Sequence, residues 1–494
     1  MPKKIIIVGG GLGGLSGAIR LARLGYDVHL YEKNETLGGK MGRIRREGFT
    51  FDTGPTLLTM PYVVEELFQF AGFNVADMLQ IIPVEPVCRY FYSDSEPFDA
   101  SANQKIMLRN LMKRFPKDMV NYQRFMHYAE RIYNKTAPVF IYSPVHEIRK
   151  LLKWQVFQTL LTLHQIDPFR TVHQSVKRHF RDPRLVQLFD RYPTYNGSNP
   201  YHAPATLNVI PYVELGLGGY YIQGGLYTLV EAMQKAAKAL NVKIRTGTEV
   251  ESICHDNHRI KGVRIHGEKI DADAVLCNAD VVTSHHDLID GFHKTSKRLS
   301  RLEPSLSGLI FFWGIHGIHP HLGQHNIFFS QDYQKEFARI FQDLIPPEDP
   351  TVYVSISSKS DTGHAPEGCE NWFVLINIPY LIGDQSWKAG QTALIRQAVL
   401  QKLKTCGLDI EKQIRIEKTI TPGDIALRFR SNRGSIYGIS SNTLNSAFKR
   451  PPNRSRQLRG LYFAGGSTHP GGGVPMCMLS GKIAAELINE FESR

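Results

Sequence analysis

The chain has 494 residues, of which 42% are hydrophobic and 21% charged, the composition of a globular protein with a large buried core. Its longest apolar runs, such as residues 309–313, are far shorter than the ~20 residues that cross a bilayer, so no membrane-spanning segment is expected. A net charge of +13 favours an anionic partner. Because no nucleic-acid-binding motif is present, we expect a phospholipid surface and no nucleic acid; a basic surface without a partner is the alternative.

The N-terminal segment predicts a strand, a glycine-rich turn, a helix and a second strand, with regular structure at residues 5–8, 14–24 and 27–31. The turn has the spacing Gly9-x-Gly11-x-x-Gly14 of a dinucleotide-binding fold. Gly9 permits the tight turn, Gly11 lets the backbone approach a pyrophosphate, and Gly14 lets the helix pack on the strand. We include Leu12 and Gly13 in this predicted cofactor site, with an ordinary α/β glycine turn as the alternative.

Glu32 ends the second predicted strand, 23 residues after Gly9, where an acidic side chain hydrogen-bonds the ribose hydroxyls of a dinucleotide. Its carboxylate disfavours the 2′-phosphate of NADP. We include its neighbour Lys33 in the predicted cofactor site.

A second glycine-rich segment follows, Leu37-Gly-Gly-Lys-Met-Gly-Arg43, and allows another close passage over the pyrophosphate. Lys40 and Arg43 are candidate counter-charges for that group, although either would serve equally as a solvated surface charge. The predicted contacts of this region also include Gly39, Gly54, Pro55 and Thr56.

The middle of the chain changes character twice. Residues 86–205 predict helices rich in aromatic and basic side chains, interrupted at Pro116, Pro144, Pro168 and Pro183. The α/β pattern then returns, with a helix at 226–240 and strands at 242–245, 262–266 and 274–277. We therefore expect a discontinuous cofactor domain at residues 1–85, 215–300 and 421–494, and a substrate- and membrane-binding domain at 86–214 and 301–420.

Residues 148–166 carry apolar side chains at helical spacing, flanked by Arg149, Lys150, Lys153 and Trp154. Basic residues beside Trp154 and Phe157 are typical of a helix that lies in a membrane interface. An amphipathic helix packed on the protein's own core is the alternative.

The C-terminal region contains the most informative segment, Pro470-Gly-Gly-Gly-Val-Pro475, which predicts a glycine-rich turn opening into a helix. A helix N-terminus beneath a flavin pyrimidine stabilises the negative charge of the reduced ring. Together with the N-terminal turn, this segment indicates FAD. The predicted contacts here are Gly465, Gly466, Gly472, Gly473 and Val474, and His469 is the candidate catalytic residue, with a role in positioning the loop as the alternative.

Histidines invite a metal interpretation at His285-His286 and at His316, His319, His321 and His325. Their spacing matches no standard zinc site, so no metal is expected. The six cysteines lie far apart without a CxxC pair, which favours a reducing cytosol over a disulfide framework.

These segments resemble the phytoene desaturase family of bacterial carotenoid desaturases, within the amine-oxidase-like superfamily of FAD proteins. The resemblance covers nearly the whole chain and is carried by the N-terminal fingerprint and by Phe51-Asp-Thr-Gly-Pro-Thr56, Tyr195-Asn-Gly-Ser-Asn-Pro-Tyr201, Gly224-Gly225, Asn278-Ala-Asp280 and Ser467-Thr-His-Pro-Gly-Gly-Gly473. Amine oxidases usually place an acidic residue where this chain has Gly466. The resemblance also implies that the backbone at Val250 meets the adenine.

The resemblance implies an α/β fold, with a Rossmann-like FAD-binding domain and an inserted substrate- and membrane-binding domain. It implies FAD-dependent introduction of C=C bonds into a long acyclic isoprenoid, either phytoene-type or a hydroxylated acyclic carotenoid at C3–C4. Hydride would pass to flavin N5, with oxygen or a quinone as the final electron acceptor. The alternatives are a C30 dehydrosqualene-type desaturase, an amine or porphyrinogen oxidase, and a non-catalytic prenyl-lipid carrier. We expect a cytoplasmic protein bound peripherally to the inner face of the cell membrane.

Overall fold

The computed structural model describes residues 1–93, 95–147, 165–256, 258–383, 387–443 and 449–493. The strands are β1 Lys4–Val8, β2 Asp27–Tyr31, β3 Arg43–Arg46, β4 Phe49–Asp52, β5 Ile81–Pro83, β6 Cys88–Tyr92, β7 Ser95–Ala100, β8 Tyr220–Ile222, β9 Lys243–Arg245, β10 Ser252–His255, β11 Ile260–Ile265, β12 Glu268–Asp271, β13 Ala274–Cys277, β14 Ser307–His316, β15 His325–Phe328, β16 Val352–Ile356, β17 Cys369–Ile378, β18 Ile414–Ile420 and β19 Leu461–Phe463. The longer helices are α1 Leu12–Arg23, α2 Tyr62–Ala71, α3 Gln104–Arg114, α4 Met119–Thr136, α5 Val172–His179, α6 Pro183–Asp190, α7 Thr228–Ala239, α8 His293–Ser300, α9 Tyr333–Ala338, α10 Ala389–Thr405, α11 Pro422–Phe429 and α12 Val474–Glu492.

A five-stranded parallel sheet joins the two ends of the chain, in the order β19-β13-β1-β2-β9. Ile5, Ile6 and Ile7 are all fully buried, as in a parallel sheet covered on both faces. Helices α1 and α12 pack so closely on each other that a Cβ at Gly481 would overlap the carbonyl oxygen of Gly13. The predicted α/β class with a Rossmann-like sheet is confirmed.

The elements predicted around this sheet lie where expected, within about two residues. Strand β13 coincides with the predicted 274–277, and α7 occupies most of the predicted 226–240. The prediction omitted β10 and β12, which pair with β11 in a separate antiparallel sheet.

The second large sheet has seven strands, in the order β18-β14-β17-β16-β15-β6-β7. The helical prediction for the start of 86–205 is wrong, because residues 88–92 and 95–100 form β6 and β7 at the edge of this sheet. Aromatic side chains in Cys88-Arg-Tyr-Phe-Tyr92 favour a strand, and pairing with β15 stabilises it. The apolar run 309–313 lies in β14, whose central residues are buried on both faces.

Helices α3–α6 cover one face of the seven-stranded sheet. Phe125 and Phe189 from the helices share one buried cluster with Tyr90 and Ile327 from the strands. The predicted interfacial helix at 148–166 lies outside the described residues except for its last two positions. Across the described ranges, no helix combines the length and apolarity needed to cross a membrane.

The two sheets draw on different parts of the sequence. The five-stranded sheet takes strands from each of the pieces 1–85, 215–300 and 421–494, and the seven-stranded sheet takes strands from 86–214 and 301–420. The domain boundaries themselves remain a prediction.

Candidate functional site

A cavity of about 1060 Å³ lies between the glycine turns of the five-stranded sheet and the seven-stranded sheet. The sequence-predicted residues that line it are Gly11, Leu12, Gly13, Gly39, Lys40, Gly54, Pro55, Thr56, Gly465, Gly466, His469, Gly472, Gly473 and Val474. Apolar side chains of the second sheet and the helical layer also line it, among them Ile310, Ile327, Phe373, Leu375, Val209 and Val213. The cavity reaches the upper end of the ~300–1,000 Å³ range of small-molecule pockets.

The two terminal glycine turns touch each other at the edge of this cavity. A Cβ at Gly13 would lie 2.7 Å from the backbone nitrogen of Gly465, and a Cβ at Gly14 would overlap the carbonyl oxygen of Gly9. Asn278, which follows β13, lies between the turns and donates from Nδ2 to Gly9 O at 3.3 Å. The close approach therefore requires glycine at these positions and leaves the backbone open to a ligand.

Glu32 lies directly behind the N-terminal turn. Its Oε2 accepts a hydrogen bond from Gly10 N–H at 2.7 Å, and its Oε1 accepts from the Asn34 backbone N–H and Nδ2 at 2.9 and 2.7 Å. The carboxylate is thus held in a fixed orientation at the carboxyl end of β2. Like Gly9 and Gly14, it lies outside the cavity lining, and its contact with a ribose stays a prediction.

Lys40 is a partly buried lysine in the cavity wall. Its Nζ donates to the carbonyl oxygens of Ser435 and Ile436 at 3.0 and 2.7 Å. Burial lowers the pKa of Lys40, while the nearby carboxylate of Asp280 opposes that shift. Burial likewise raises the pKa of Asp280, with Lys40 opposing it. The pair places a charged donor beside the glycine turns.

Three further predicted contacts do not reach the cavity. Arg43 donates to Glu231, Thr228 and Gly224 O, because β3 turns its side chain toward the start of α7. Lys33 donates to Leu427 O at 3.0 Å on the surface. Val250 packs in the core beneath the antiparallel sheet of β10–β12. Nη1 and Nη2 of Arg43 therefore bind protein acceptors, and its assignment as a pyrophosphate counter-charge stays a prediction.

The C-terminal turn leads directly into α12, as predicted. Gly473 precedes the helix with φ of 105°, and Pro475 lies in the first turn, where no backbone N–H is needed. No side chain caps this N-terminus. Its free N–H groups and the helix dipole therefore favour negative charge in the adjoining part of the cavity.

Arg450 holds this turn in place by hydrogen bonds, a role that the sequence analysis did not predict. Its Nη1 donates to Gly466 O at 3.1 Å and its Nη2 to Ile439 O at 2.8 Å. Burial lowers the pKa of Arg450 to about 10, so the guanidinium stays charged at neutral pH. A lone arginine between unrelated residues carries no sequence signal, since its role depends on a turn 16 residues further along.

His469 lines the cavity but is held by the backbone. Its Nε2 donates to Ser143 O at 2.8 Å. Burial, with His146 and Arg450 nearby, lowers the pKa of His469 to about 3, so the ring is neutral near pH 7. The geometry favours the positioning role over proton transfer by an imidazolium.

The polar groups of the lining fit a flavin cofactor. The side-chain oxygen of Asn278 is buried without a hydrogen-bond partner among the described residues, beside turns in which Cβ atoms have no room. Lys40, Arg450 and the uncapped start of α12 supply positive potential for phosphate and for a reduced ring. The apolar remainder of the cavity suits an uncharged substrate.

The comparisons define the class of protein. Residues 12–489 match the family of flavin containing amine oxidoreductases, so the chain belongs to this family and is a flavin-dependent oxidoreductase. Among solved structures, the fold is similar to that of cyclohexylamine oxidase from Brevibacterium oxydans, with a TM-score of 0.62, 13% identity and full coverage of both chains. That likeness shows the fold alone.

Curated relatives are more specific. The chain is 39% identical to 1-hydroxycarotenoid 3,4-desaturase from Flavobacterium sp., over 98% of this chain and 99% of the relative. It is 38% identical to 4,4'-diapolycopene oxygenase from Methylomonas sp., over 98% of each chain. The resemblance to carotenoid desaturases within the amine-oxidase-like superfamily is thereby confirmed.

Proposed function

We propose that the protein binds FAD and uses it to introduce C=C bonds into a long acyclic carotenoid. The observation that carries the proposal is the continuity of one cavity from the terminal glycine turns into a large apolar space. The relatives named as carotenoid desaturase and oxygenase support the same substrate class. The preferred substrate is a hydroxylated acyclic carotenoid desaturated at C3–C4, and oxygen or a quinone serves as electron acceptor.

The chain's own residues supply binding, orientation and exclusion of water. Bound FAD supplies a hydride acceptor. Gly11, Gly13 and Gly465 leave room for the dinucleotide, and the start of α12 stabilises negative charge on the ring. The apolar wall holds the substrate chain by burial and fixes its orientation. The position of the substrate chain relative to FAD then determines which C–H bond loses its hydride.

The test uses the purified holoprotein with acyclic carotenoids in liposomes under anaerobic conditions. We expect the oxidised-flavin absorption band to disappear and the product to have lost two hydrogens. Carotenoid bound without any reduction of flavin would contradict the proposal and favour a lipid carrier. Formation of an oxygenated C30 product in air would favour the second candidate, an oxygenase like the Methylomonas relative.

We further propose that the protein acts from the inner face of the cell membrane. Phe169 lines the cavity although 83% of its surface is exposed, so it lies at the cavity mouth. The chain on both sides of residues 148–164 also lines the cavity, at Val145 and Ile166. The basic residues Arg149, Lys150 and Lys153 fall between these points in sequence.

Charge reversal tests this membrane proposal. Changing Arg149, Lys150 and Lys153 together to Glu should weaken binding to anionic vesicles, because each basic residue near such a surface contributes ~1 kcal/mol. Raising the salt concentration should weaken the binding of the unchanged protein. The matched control reverses Lys113, Lys117 and Arg114, which lie around the end of α3 and do not line the cavity. Equal loss of binding in both variants would show that net charge alone, not this segment, attracts the vesicle.

A further inference from the structure

A charged cluster interrupts the apolar part of the cavity. Arg191 and Glu214, which both line the cavity, are only 7% and 1% exposed and form an ion pair with Nη2 and Oε1 at 2.9 Å. The phenols of Tyr192 and Tyr195 donate to the two oxygens of Glu214, and Arg191 Nη2 donates to the Tyr90 hydroxyl at 2.6 Å. We call these five residues the Arg191 cluster.

Stability does not explain the Arg191 cluster. A buried ion pair loses the hydration of both charges, and apolar side chains of the same volume are often as stable or more so. The surroundings are already aromatic, since the guanidinium lies 4.4 Å from the ring centroid of Tyr192 and 5.4 Å from that of Tyr195. A charge at this position therefore calls for a ligand that uses it.

Not all N–H donors of the Arg191 guanidinium are used within the protein. Among the described residues, the hydrogen bonds of Arg191 to Tyr90 and Glu214 are both made by Nη2, which leaves Nη1 for a ligand; Nε also has no partner but is fully buried. Glu214, by contrast, has both oxygens occupied by Arg191 and the two phenols. The cluster can therefore offer a further N–H donor to a ligand in the cavity, while its carboxylate serves to orient the guanidinium.

The charge balance restricts the chemistry of that ligand. The positive charge of Arg191 is already matched by Glu214, so a second carboxylate would add an uncompensated buried charge. A neutral oxygen, such as a hydroxyl, accepts a hydrogen bond without that penalty. A hydrocarbon would leave the donors of Arg191 unsatisfied.

We propose that Arg191 is the specificity-determining residue that receives the terminal hydroxyl oxygen of the substrate, with Glu214 and Tyr195 as positioning residues. This inference rests on the proposed function and names its substrate class as a hydroxylated acyclic isoprenoid. A long chain of identical isoprene units can slide in an apolar cavity, so one polar contact fixes which bond faces the cofactor. Hydrogen bonds to a charged group correspond to a preference of about 10- to 100-fold over the hydrocarbon.

The experiment compares two substrates in the holoprotein. An acyclic carotenoid with a terminal hydroxyl and the matched hydrocarbon are supplied in the same liposomes. Binding is measured by quenching of protein fluorescence, and turnover by anaerobic reduction of the flavin. The test variant is the double change Arg191→Met with Glu214→Gln, because removing the arginine alone would leave a buried unpaired carboxylate. The control changes Arg89→Met with Asp99→Asn, an ion pair between β6 and β7 outside the cavity lining.

We expect the unchanged protein and the control to prefer the hydroxylated substrate by about 10- to 100-fold. The double variant should bind and oxidise both substrates alike, at the rate of the unchanged protein on the hydrocarbon. Should the double variant fail to retain FAD, Tyr195→Phe serves instead, with a preference lowered several-fold. Equal binding of the two substrates by the unchanged protein, or an undiminished preference in the variants, overturns the inference. Absence of flavin reduction with both substrates, alongside a hydroxyl preference in binding, instead contradicts the proposed desaturase function.

Discussion

The two sides of the cavity are built by opposite means. On the cofactor side, formed by residues 11–13, 39–40 and 465–474, close backbone contacts exclude side chains, as at Gly13 against Gly465. On the substrate side, formed by the seven-stranded sheet and the helical layer, large side chains fill the space and a few polar ones interrupt it. Substitutions on the first side should therefore act through steric exclusion and have large effects. Substitutions on the second should change affinity and selectivity by degrees.

Gly11→Val should have the largest effect. A Cβ at Gly11 would lie 2.8 Å from Asn278 Nδ2, and the valine would project where the pyrophosphate is proposed to lie. Overpacking of about 3 kcal/mol corresponds to at least about a 100-fold loss of FAD affinity. The measurement is the flavin-to-protein ratio after gel filtration. Gly363→Val is the control, since no atom lies within 4 Å of its Cβ. Stoichiometric FAD in the Gly11 variant would remove the turn from the cofactor site.

Gly472→Leu should slow the reaction while leaving FAD bound. A Cβ at Gly472 would lie 2.9 Å from the ring of Tyr437, so the turn must move relative to the substrate side. A displacement of about 1 Å lowers the rate of a positioned reaction by about 100-fold. Stopped-flow reduction of the flavin by carotenoid measures this step. Gly423→Leu is the control because its Cβ meets only ordinary contacts beyond 3.4 Å. An unchanged rate at Gly472 would separate the turn from the chemistry.

Low pH should destabilise the fold through both sides of the cavity, but only the cofactor side should determine the pH at which FAD is released. Burial lowers the pKa of His469 and of His325 to about 3, compared with 6.5 for an exposed histidine. The neutral rings therefore stabilise the fold fully above pH 6.5. That stability is lost as the pH falls toward 3, at up to about 1.4 kcal/mol per pH unit for each histidine.

Unfolding by urea at pH 7 and pH 5 measures this slope. His469→Gln and His325→Gln should each reduce the pH dependence of the free energy of unfolding, whereas His258→Gln, at an exposed position, should not. Only His469, which binds Ser143 O beside the C-terminal turn, should influence the pH at which FAD is released. Identical release curves for the His469 and His325 variants would contradict the distinction between the two sides.

The mouth of the cavity should give the smallest effect. Phe169→Asp removes an exposed aromatic ring from the proposed membrane contact, and vesicle binding should fall about 10-fold, as expected for the burial of one such side chain. Leu394→Asp is the matched control, because Leu394 is 68% exposed on α10 and does not line the cavity. Vesicle flotation measures both variants. An equal decrease in the two would indicate general surface hydrophobicity and no specific docking site.

The predictions from sequence succeeded where the constraint is local. The strand, turn and helix of residues 4–23 follow from a few neighbouring residues, and so does the turn before α12. The start of 86–205 was predicted wrongly, since β6 becomes a strand by pairing with β15, more than 200 residues away. Arg43 was predicted as a cofactor contact from its position after two glycines, and its hydrogen bond to the distant Glu231 has no local sequence signal.

The sequence by itself determined the class of fold, the pair of glycine turns and the indication of a flavin, because glycine spacing and strand periodicity act over short distances. Only the tertiary structure decided that Arg450 braces the C-terminal turn, that Lys40 faces the cavity, and that Arg191 meets Glu214 within it. The interactions of these side chains are made with residues that the packing of the two sheets brings near. The free energy of a buried charge depends on the local dielectric and on these partners, and the residues next to it in sequence encode neither.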